Sequence, residues 1–488
     1  MAVRTMVRRC LTLSLCMLMA GSALTATESL AADCDTVPID VETTDYSLPF
    51  EMPSGLMPDP QFDGLPAQLE VHRVRPVYAD KCPSVPNRAV VLVHGRSVTG
   101  PVAFDLRYPA PGGGTLSVQE DLARAGIDTF APSLLGYGRS TRFARELDDP
   151  GNASLAPFAS NGVCPSPQGC DRTHNPIFPL DQQRTLLAAN PLGGHRHTHS
   201  SDMRFANTDV WVRDIAQTID DAITRAHPAD DKVTLVGYSV GALRVGRALY
   251  TAKYPEVASK VDRVAFLAPF FGGPTEETPP PQGFVSFPLT LMERAQIVEG
   301  GRMASPEREA ACTGYTVDGS GERAWTQLMD LDAIGRNWGG EDVEHPAGLL
   351  RLPTFSTYGF NDAVAGQLTQ PTLVIQGLDD VVVPGDAPSA SAIYNALPAS
   401  MTNRVLVQID CATHEMLWEG CSHAARCAAA SAAAYGTEAG RPWAGAHSTV
   451  TAGSDRMDID RNVQRCAGRQ VHRRREWCRQ ADRNVSQP

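Results

Sequence analysis

Short, continuous apolar runs recur along the chain and alternate with stretches that have helical spacing. The first run, Ala89–Val93, has the sequence AVVLV and ends at a His-Gly turn, a pattern typical of a buried parallel strand. Residues 210–225 repeat apolar side chains at every third or fourth position, which predicts an amphipathic helix. Further apolar runs lie at residues 127–132, 233–236, 261–267, 371–375 and 404–409. This alternation predicts an α/β fold with a mostly parallel, doubly wound sheet covered by helices on both faces.

Two insertions interrupt this rhythm. The first part of the core, residues 33–270, contains a stretch at about residues 141–205 that is rich in Gly, Pro, Asn and His, which predicts a long surface insertion. Residues 271–365 begin with a proline-rich segment and continue with Trp325 and Trp338 among other apolar residues, which predicts a largely helical cap. The core then resumes at residues 366–450. Both insertions follow strand ends, where a doubly wound sheet carries its site, so we expect them to shape a pocket.

The last segment, residues 451–488, differs in composition from the rest. It contains nine arginines, no lysine and little apolar periodicity. This composition predicts a disordered basic tail. The alternative is that a shifted reading frame replaced the native ending near Val450, and the sequence leaves both explanations open.

The first 32 residues have the layout of a secretory signal. Arg4, Arg8 and Arg9 precede an apolar run at residues 10–24, and small residues follow up to Ala32. The apolar run is short for a bilayer span, and no cysteine directly follows the small residues as a lipid anchor requires. The sequence therefore predicts a secreted or periplasmic protein with no stable membrane anchor. The paired arginines also leave a twin-arginine export signal open.

The net charge and the cysteine content limit which partners, metals and cofactors we expect. The net charge of -12 disfavours nucleic acid as a partner. Ten of the twelve cysteines follow residue 32, and an even number in an exported protein predicts disulfides, with Cys164–Cys170 as the preferred pair. The cysteine spacings do not match a zinc site, and we interpret the HxHxH run at residues 195–199 as exposed loop histidines. We therefore expect neither a metal nor a cofactor.

The motif GYSVG at residues 237–241 carries the strongest chemical signal. It directly follows the run VTLV and precedes a helix-like stretch at residues 242–250. A serine between two glycines at a strand-to-helix turn presents its hydroxyl in a strained, accessible position, as acyl transfer requires. We therefore predict Ser239 as a catalytic nucleophile, with an ordinary turn as the alternative.

Five segments in succession resemble landmarks of the α/β-hydrolase superfamily. They are HGRS at 94–97, GYGRS at 136–140, GYSVG at 237–241, GLDDVVVP at 377–384 and CATHEMLWE at 411–419, and they span about residues 88–420. The resemblance implies the α/β-hydrolase fold and a triad in the chain order serine, acid, histidine. The long insertion and the arginine-rich ending depart from the family pattern and leave the subfamily and substrate open.

A serine hydroxyl needs a base to accept its proton. His414 follows the strand-like run RVLVQI in a short loop, where the resembled family places its base. His94 and His423 are the competing histidines, and His94 is better placed to brace the loop that binds the oxyanion. We therefore predict His414 as the general base.

The base in turn needs a carboxylate, and the oxyanion needs N–H donors. Asp380 matches the family spacing GxxDxxxP after the run PTLVI, and its neighbour Asp379 is the alternative acid. By resemblance, the oxyanion donors are the backbone amides of Arg96 and Val240.

These residues predict a serine hydrolase that cleaves a carboxylic ester or lactone, with a small molecule as its substrate. The expected pocket residues are Tyr238, Phe270, Trp325 and Trp338. An amidase or exopeptidase of the same fold is one alternative, and a non-catalytic binding protein is another. The sequence does not indicate an oligomeric state.

Overall fold

The computed structural model describes residues 38–57, 62–78, 87–111, 114–142, 207–277, 289–292, 294–303, 305–332, 335–337, 348, 350–353, 358–383, 389–420 and 447–450. Its strands are β1 (Asp40–Glu51), β2 (Pro66–Val77), β3 (Ala89–Val93), β4 (Asp105–Pro109), β5 (Thr115–Ser117), β6 (Asp128–Ser133), β7 (Val233–Tyr238), β8 (Val261–Leu267), β9 (Leu289–Met292), β10 (Leu350–Pro353), β11 (Thr372–Gly377), β12 (Arg404–Ile409) and β13 (His447–Val450).

The α-helices are α1 (Gly100–Phe104), α2 (Val118–Arg124), α3 (Thr208–Ala226), α4 (Val240–Ala248), α5 (Pro255–Ser259), α6 (Arg294–Val298), α7 (Pro306–Ala311), α8 (Ser320–Asp330), α9 (Asp362–Ala365) and α10 (Ser389–Ala396). Short 3₁₀ turns cover Gly335–Asn337 and Met416–Trp418. Among the helices described, none has the length and apolar character needed to cross a membrane.

Within the described residues, the main sheet has nine strands in the order β1-β2-β6-β3-β7-β8-β11-β12-β13. From β6 to β13 all neighbouring strands pair in parallel, whereas β2 pairs antiparallel with both β1 and β6. Between β6 and β7 the chain crosses from one side of β3 to the other, which makes the carboxyl ends of β3 and β7 the switch point of the sheet. In open α/β sheets this is where a site forms.

The predicted fold class is confirmed. Every residue of β3, β6, β7 and β11 is buried, as expected for strands that are covered on both faces. The six apolar runs predicted as strands correspond to β3, β6, β7, β8, β11 and β12, with ends that agree within one or two residues. The sequence analysis did not foresee the long β1–β2 hairpin at the sheet edge.

Helix α3, which packs on the sheet, shows how the local sequence determines where a helix begins, where it ends and which face it buries. The Asn207 side chain accepts a hydrogen bond from the Val210 amide at 3.1 Å and so caps the first turn. The helix ends where His227 adopts a left-handed conformation, with φ of 47°. Its buried face includes Val212, Ile215 and Ile219, which match the predicted apolar spacing, and it packs against α4 and β3.

The predicted cap region contains helices α6, α7 and α8 and a two-stranded antiparallel ribbon formed by β9 and β10. The helical prediction therefore holds for much of its described part, and the ribbon is an addition. An antiparallel bridge between Gly272 and Phe360 joins the beginning of this region to its end. The signal segment at residues 1–32, the insertion at about residues 141–205, the tail at residues 451–488 and the pair Cys164–Cys170 lie outside the described residues.

Candidate active site

Ser239 lies at the turn between β7 and α4, at the switch point of the sheet. Its backbone has φ of 56°, a left-handed value that is unusual for a residue with a side chain. Two contacts with the end of β8 hold this conformation: the Ser239 amide donates to the Leu267 carbonyl at 2.9 Å, and the Phe270 amide donates to the Ser239 carbonyl at 3.1 Å. Backbone strain of this kind persists only where the surroundings fix it, as they do here.

The glycines of the motif are required by close backbone contacts. A Cβ atom on Gly241 would lie 2.3 Å from the Val93 carbonyl oxygen, and one on Gly237 would lie 2.6 Å from the Cα of Ala242. A Cβ on Gly95 would lie 2.8 Å from the Cβ of Ser239 itself. Any side chain at these positions would push apart β3, β7 and α4, so the glycine spacing sets the sharpness of the turn.

The structure brings Ser239, His414 and Asp380 together in a chain of hydrogen bonds. His414 Nε2 lies 2.9 Å from Ser239 Oγ, and His414 Nδ1 lies 2.9 Å from Asp380 Oδ2. Ser239 and His414 are buried, and the side chain of Asp380 is fully enclosed. The three residues follow β7, β12 and β11, so their side chains meet although 141 residues separate Ser239 from Asp380.

The electrostatics around His414 favour the protonated form of its ring. Burial opposes the charged imidazolium, but the hydrogen bond and the charge of Asp380 outweigh it and raise the pKa of His414 above its ordinary value. Asp380 Oδ1 is held by the amides of Val382 and Val383 at 3.0 and 3.3 Å. The second oxygen, Oδ2, is thereby directed at the imidazole.

The neighbouring aspartate has a different environment. Asp379 is buried and accepts two hydrogen bonds from the guanidinium of Arg308, at 2.7 and 2.6 Å. The geometry thus distinguishes the two carboxylates, because Asp380 contacts His414 whereas Asp379 binds an arginine of the cap.

The residues predicted to bind an oxyanion lie beside the serine. Val240 is the first residue of α4, and amides in the first turn of a helix have no acceptor within the helix. Arg96 follows β3 and Gly95, and Gly95 packs directly against Ser239. The oxyanion role of these two amides stays a prediction.

His94, the competing histidine, braces this loop. Its ring is fully buried, its Nδ1 lies 2.7 Å from the Gly95 carbonyl, and its Nε2 accepts from the Leu134 amide at 3.0 Å. Burial, reinforced by the charge of Arg244, lowers the pKa of His94 to about 3. The ring is therefore neutral, and both nitrogens are used in structural contacts. The other competitor, His423, lies outside the described residues.

Tyr238 supports the histidine loop. Its buried hydroxyl lies 3.0 Å from both the His414 carbonyl and the Glu415 carboxylate, and its ring lies 5.5 Å from the His414 ring. These contacts give Tyr238 a structural role that needs no contact with a substrate. Its role as a pocket residue stays a prediction. Burial raises the pKa of Glu415, so this carboxyl group has an increased tendency to be neutral.

The other predicted pocket residues have different positions. The half-buried Phe270 ring lies edge-on to the His414 ring, with centroids 6.2 Å apart. Trp325 on α8 is buried in the main hydrophobic core. Trp338 lies outside the described residues. Phe270 and Tyr238 are thus the predicted pocket residues whose rings lie beside His414.

Sequence reasoning missed three features around the site: Arg308, Glu415 and a disulfide between Cys312 and Cys411. Arg308 lies 71 residues from Asp379, and no local pattern marks it. The sequence did offer one signal for Glu415, because this residue directly follows His414. The disulfide joins the cap to the loop that carries His414, whereas the cysteine spacing had favoured the local pair Cys164–Cys170.

A strained serine turn at the switch point of a mostly parallel sheet defines the fold of an α/β hydrolase. The family model for the alpha/beta hydrolase fold matches residues 88–420, more than half of the chain. The chain therefore belongs to the α/β-hydrolase family, as the sequence resemblance indicated.

Several solved structures are similar to this chain at low identity. A thioesterase domain from the curacin biosynthetic pathway is 12% identical, with a TM-score of 0.39, and covers 80% of this chain and 99% of its own. A 2-hydroxy-6-oxo-6-phenylhexa-2,4-dienoate hydrolase from Rhodococcus sp. strain RHA1 is 17% identical, with a TM-score of 0.34 and coverages of 77% and 95%. A monoacylglycerol lipase from Paleococcus ferrophilus is 14% identical, with a TM-score of 0.33 and coverages of 71% and 93%. The comparison with curated proteins gives no match.

Proposed function

We propose that this protein is a serine hydrolase that cleaves a carboxylic ester or lactone through an acyl-Ser239 intermediate. The observation that supports it is the continuous contact from Ser239 Oγ through the His414 ring to Asp380, with both distances at 2.9 Å. In this arrangement, Ser239 is the nucleophile, His414 the base and Asp380 the orienting acid of a catalytic triad.

In the first half-reaction, His414 Nε2 accepts the proton of the Ser239 hydroxyl while Oγ bonds to the carbonyl carbon of the substrate. The tetrahedral oxyanion is stabilised by the amides of Val240 and Arg96. When the intermediate collapses, the bond to the leaving oxygen breaks, and the imidazolium returns its proton to that oxygen. The alcohol departs, or stays attached through the acyl chain if the substrate is a lactone.

In the second half-reaction, a water molecule gives a proton to His414 Nε2 and its oxygen bonds to the acyl carbon. Collapse breaks the bond to Ser239 Oγ, which recovers its proton from His414, and the carboxylic acid leaves. Asp380 keeps the Nδ1 proton directed toward itself throughout and stabilises the imidazolium.

The aromatic side of the site favours an ester over a peptide. Phe270 places an apolar ring beside His414. An exopeptidase must hold a charged substrate terminus, and a buried charge without a partner is costly. Glu415 is a carboxyl group near His414, but its raised pKa and its hydrogen bond from Tyr238 make it a poor partner for an ammonium group.

Labelling with a fluorophosphonate probe tests the nucleophile. The wild-type protein should be labelled at Ser239, and Ser239→Ala should keep its fold, lose the label and lower kcat by about 10^5 or more. An unlabelled wild-type protein would favour the non-catalytic binding protein.

A comparison of substrates tests the ester assignment. We expect kcat/KM on medium-chain p-nitrophenyl esters to exceed that on aminoacyl p-nitroanilides by at least about 10^2, or about 3 kcal/mol. Ester cleavage needs less help from His414 as an acid, because an alkoxide leaves more easily than an amine. Equal or faster turnover of the anilides would make the exopeptidase the better assignment.

We also propose that residues 1–32 direct export. The Cys312–Cys411 disulfide is a bond that suits an oxidising compartment. Mapping of the mature N-terminus in the exported fraction should place it near residue 33, and full-length protein retained in the cytoplasm would contradict export.

A further inference from the structure

One cap segment, residues 305–315, contacts both loops that bring the acid and the base to Ser239. We call residues 377–383 the acid loop and residues 410–420 the base loop. The segment contains α7, and its Arg308 donates two hydrogen bonds to Asp379 of the acid loop and one, at 2.7 Å, to Asp410 of the base loop. A single guanidinium therefore joins the two loops.

Two further contacts fix this segment to the base loop. A disulfide joins Cys312, at the end of α7, to Cys411, three residues before His414. The Gly420 amide donates to the Tyr315 carbonyl at 2.8 Å, at the other end of the base loop. Met303, Cys312, Tyr315 and Cys411 also form a small buried apolar cluster of their own. The segment thus contacts the base loop near both ends of that loop, at Cys411 and Gly420, and contacts the acid loop through Arg308.

We propose that Arg308 is a positioning residue, which sets the distance between the acid loop and the base loop and so keeps Asp380 aligned with His414. The proposal rests on the proposed function. Arg308 contacts Asp379, the residue before Asp380, and Asp410, four residues before His414. It does not contact the reacting groups themselves and acts through the two loops.

The chemistry of the contact supports this role. The planar guanidinium makes a paired contact with one carboxylate, and the same Nη2 atom also reaches Asp410. Asp379 is buried, so without Arg308 an ionised carboxylate would be left unpaired one residue from the catalytic acid. Movement of the acid loop toward solvent relieves that condition, and such a movement changes the hydrogen bond at His414 Nδ1.

The expected effect is moderate because the loops also contact each other directly. The Leu378 amide donates to the Ile409 carbonyl at 2.9 Å, and the Asp379 amide donates to the Ala412 carbonyl at 3.0 Å. A displacement of about 1 Å at a catalytic group costs about 10^2 in rate, and these backbone contacts limit the displacement. We therefore expect Arg308→Met to lower kcat about tenfold and to leave KM within about threefold.

Arg294→Met is the matched control. Arg294 also belongs to the cap and is similarly exposed, with 46% of its side chain accessible against 39% for Arg308, but it pairs with Glu322 on α8. The control thus loses one cap arginine and its ion pair without a contact to either loop. It should keep the wild-type kcat.

The measurements are kcat and KM on a p-nitrophenyl ester, and the rate constant for phosphonylation of Ser239 by a small fluorophosphonate. Both kcat and the phosphonylation rate should fall together in Arg308→Met, which separates triad alignment from substrate binding. Arg308→Lys retains the charge and should fold, but an ammonium group cannot reproduce the paired hydrogen bonds of the guanidinium. The kcat of Arg308→Lys should therefore lie between those of the wild type and Arg308→Met. If Arg308→Met does not fold, Arg308→Lys decides the question, and wild-type rates in it overturn the proposal.

A double variant tests whether Arg308 acts through the acid loop. Asp379→Asn should also lower kcat about tenfold, and Arg308→Met/Asp379→Asn should be no slower than Arg308→Met alone, because both changes remove the same contact. Independent effects would multiply and overturn the proposal, as would a loss of less than threefold in Arg308→Met. If the wild-type protein is not labelled at Ser239, the proposed function fails and the positioning role fails with it. Labelled wild-type protein with unchanged Arg308→Met rates refutes the positioning role alone.

Discussion

Replacement of Asp380 by asparagine isolates the contribution of its negative charge. The structure gives Asp380 two separate tasks: Oδ1 accepts from the amides of Val382 and Val383, and Oδ2 faces His414 Nδ1 at 2.9 Å. An asparagine can keep the first task with its carbonyl oxygen. Its NH₂ group then faces Nδ1, which must act as an acceptor, so the proton of the neutral ring moves to Nε2.

That tautomer cannot accept the Ser239 proton. Nε2 lies 2.9 Å from Ser239 Oγ, so a proton on it faces the hydroxyl that it should deprotonate. In other triads, this change costs about 10^4 in kcat. The corresponding rise in the barrier is about 5 kcal/mol. We expect the same loss here, because the geometry leaves the asparagine no rotation that keeps both backbone bonds and the right tautomer.

The assay is kcat on a p-nitrophenyl ester, with the thermal unfolding midpoint as a check on the fold. Asp379→Asn is the control, because it changes the adjacent carboxylate, which pairs with Arg308 and not with His414, and should cost only about tenfold. A loss of less than tenfold in Asp380→Asn, or a reversed order of the two variants, would refute the assignment of the acid.

Three further predictions follow from the geometry and the charges. Gly241→Ala should destabilise the protein by about 3 kcal/mol and abolish labelling, because its Cβ would lie 2.3 Å from the Val93 carbonyl oxygen; Gly64→Ala, which meets no atom within 4 Å but has φ of 73°, should cost about 1 kcal/mol. Equal unfolding midpoints in the two variants would contradict the packing argument. Because the pKa of His414 is raised and the base must be neutral, kcat/KM should fall on acidification with a midpoint above pH 6.5, and Asp380→Asn should move that midpoint down. A midpoint below 6.5 in the wild-type enzyme would contradict this. Hydrogen bonds from His72 to Asp105 and Asp45 outweigh burial and raise the pKa of His72 to about 9, so its stabilising contribution should be complete below pH 6.5 and lost as pH rises through 9. Chemical denaturation of the wild type and His72→Gln should show this pH-dependent difference, and parallel curves would disprove it.

The sequence was sufficient for the central strands of the sheet, from β6 to β12 in the strand order, because these strands are encoded locally. Ala89–Val93 is an apolar, mostly β-branched run with the predicted bounds, and its burial on both faces leaves little freedom in its register. Val261–Leu267 also has the predicted bounds, with its apolar residues buried and Asp262 and Arg263 partly exposed. The serine turn was predictable for a similar reason. Its glycines are required by close backbone contacts, Gly237 with Ala242 of the same unit and Gly241 with Val93 of β3, and their spacing is visible in five consecutive residues.

The surroundings of the site could not be predicted in this way. The contacts of Arg308 depend on how the cap folds back over the acid loop, 71 residues further along the chain, and no periodicity encodes that path. Pairing of Cys312 with Cys411 is equally non-local, and the ten cysteines after residue 32 allow many pairings. Asp379 and Asp380 are chemically identical in the sequence, and only the fold gives one an arginine and the other a histidine.

The Cys312–Cys411 disulfide also changes the unfolded chain. The two cysteines are 99 residues apart, so the bond closes a covalent ring that contains β10, β11, β12 and Asp380. In the chain-entropy model, a ring of about 100 residues removes enough unfolded conformations to stabilise the native state by about 5 kcal/mol. A protease cut within the ring would leave the two pieces covalently joined, so a nicked molecule would keep its base loop attached to the cap.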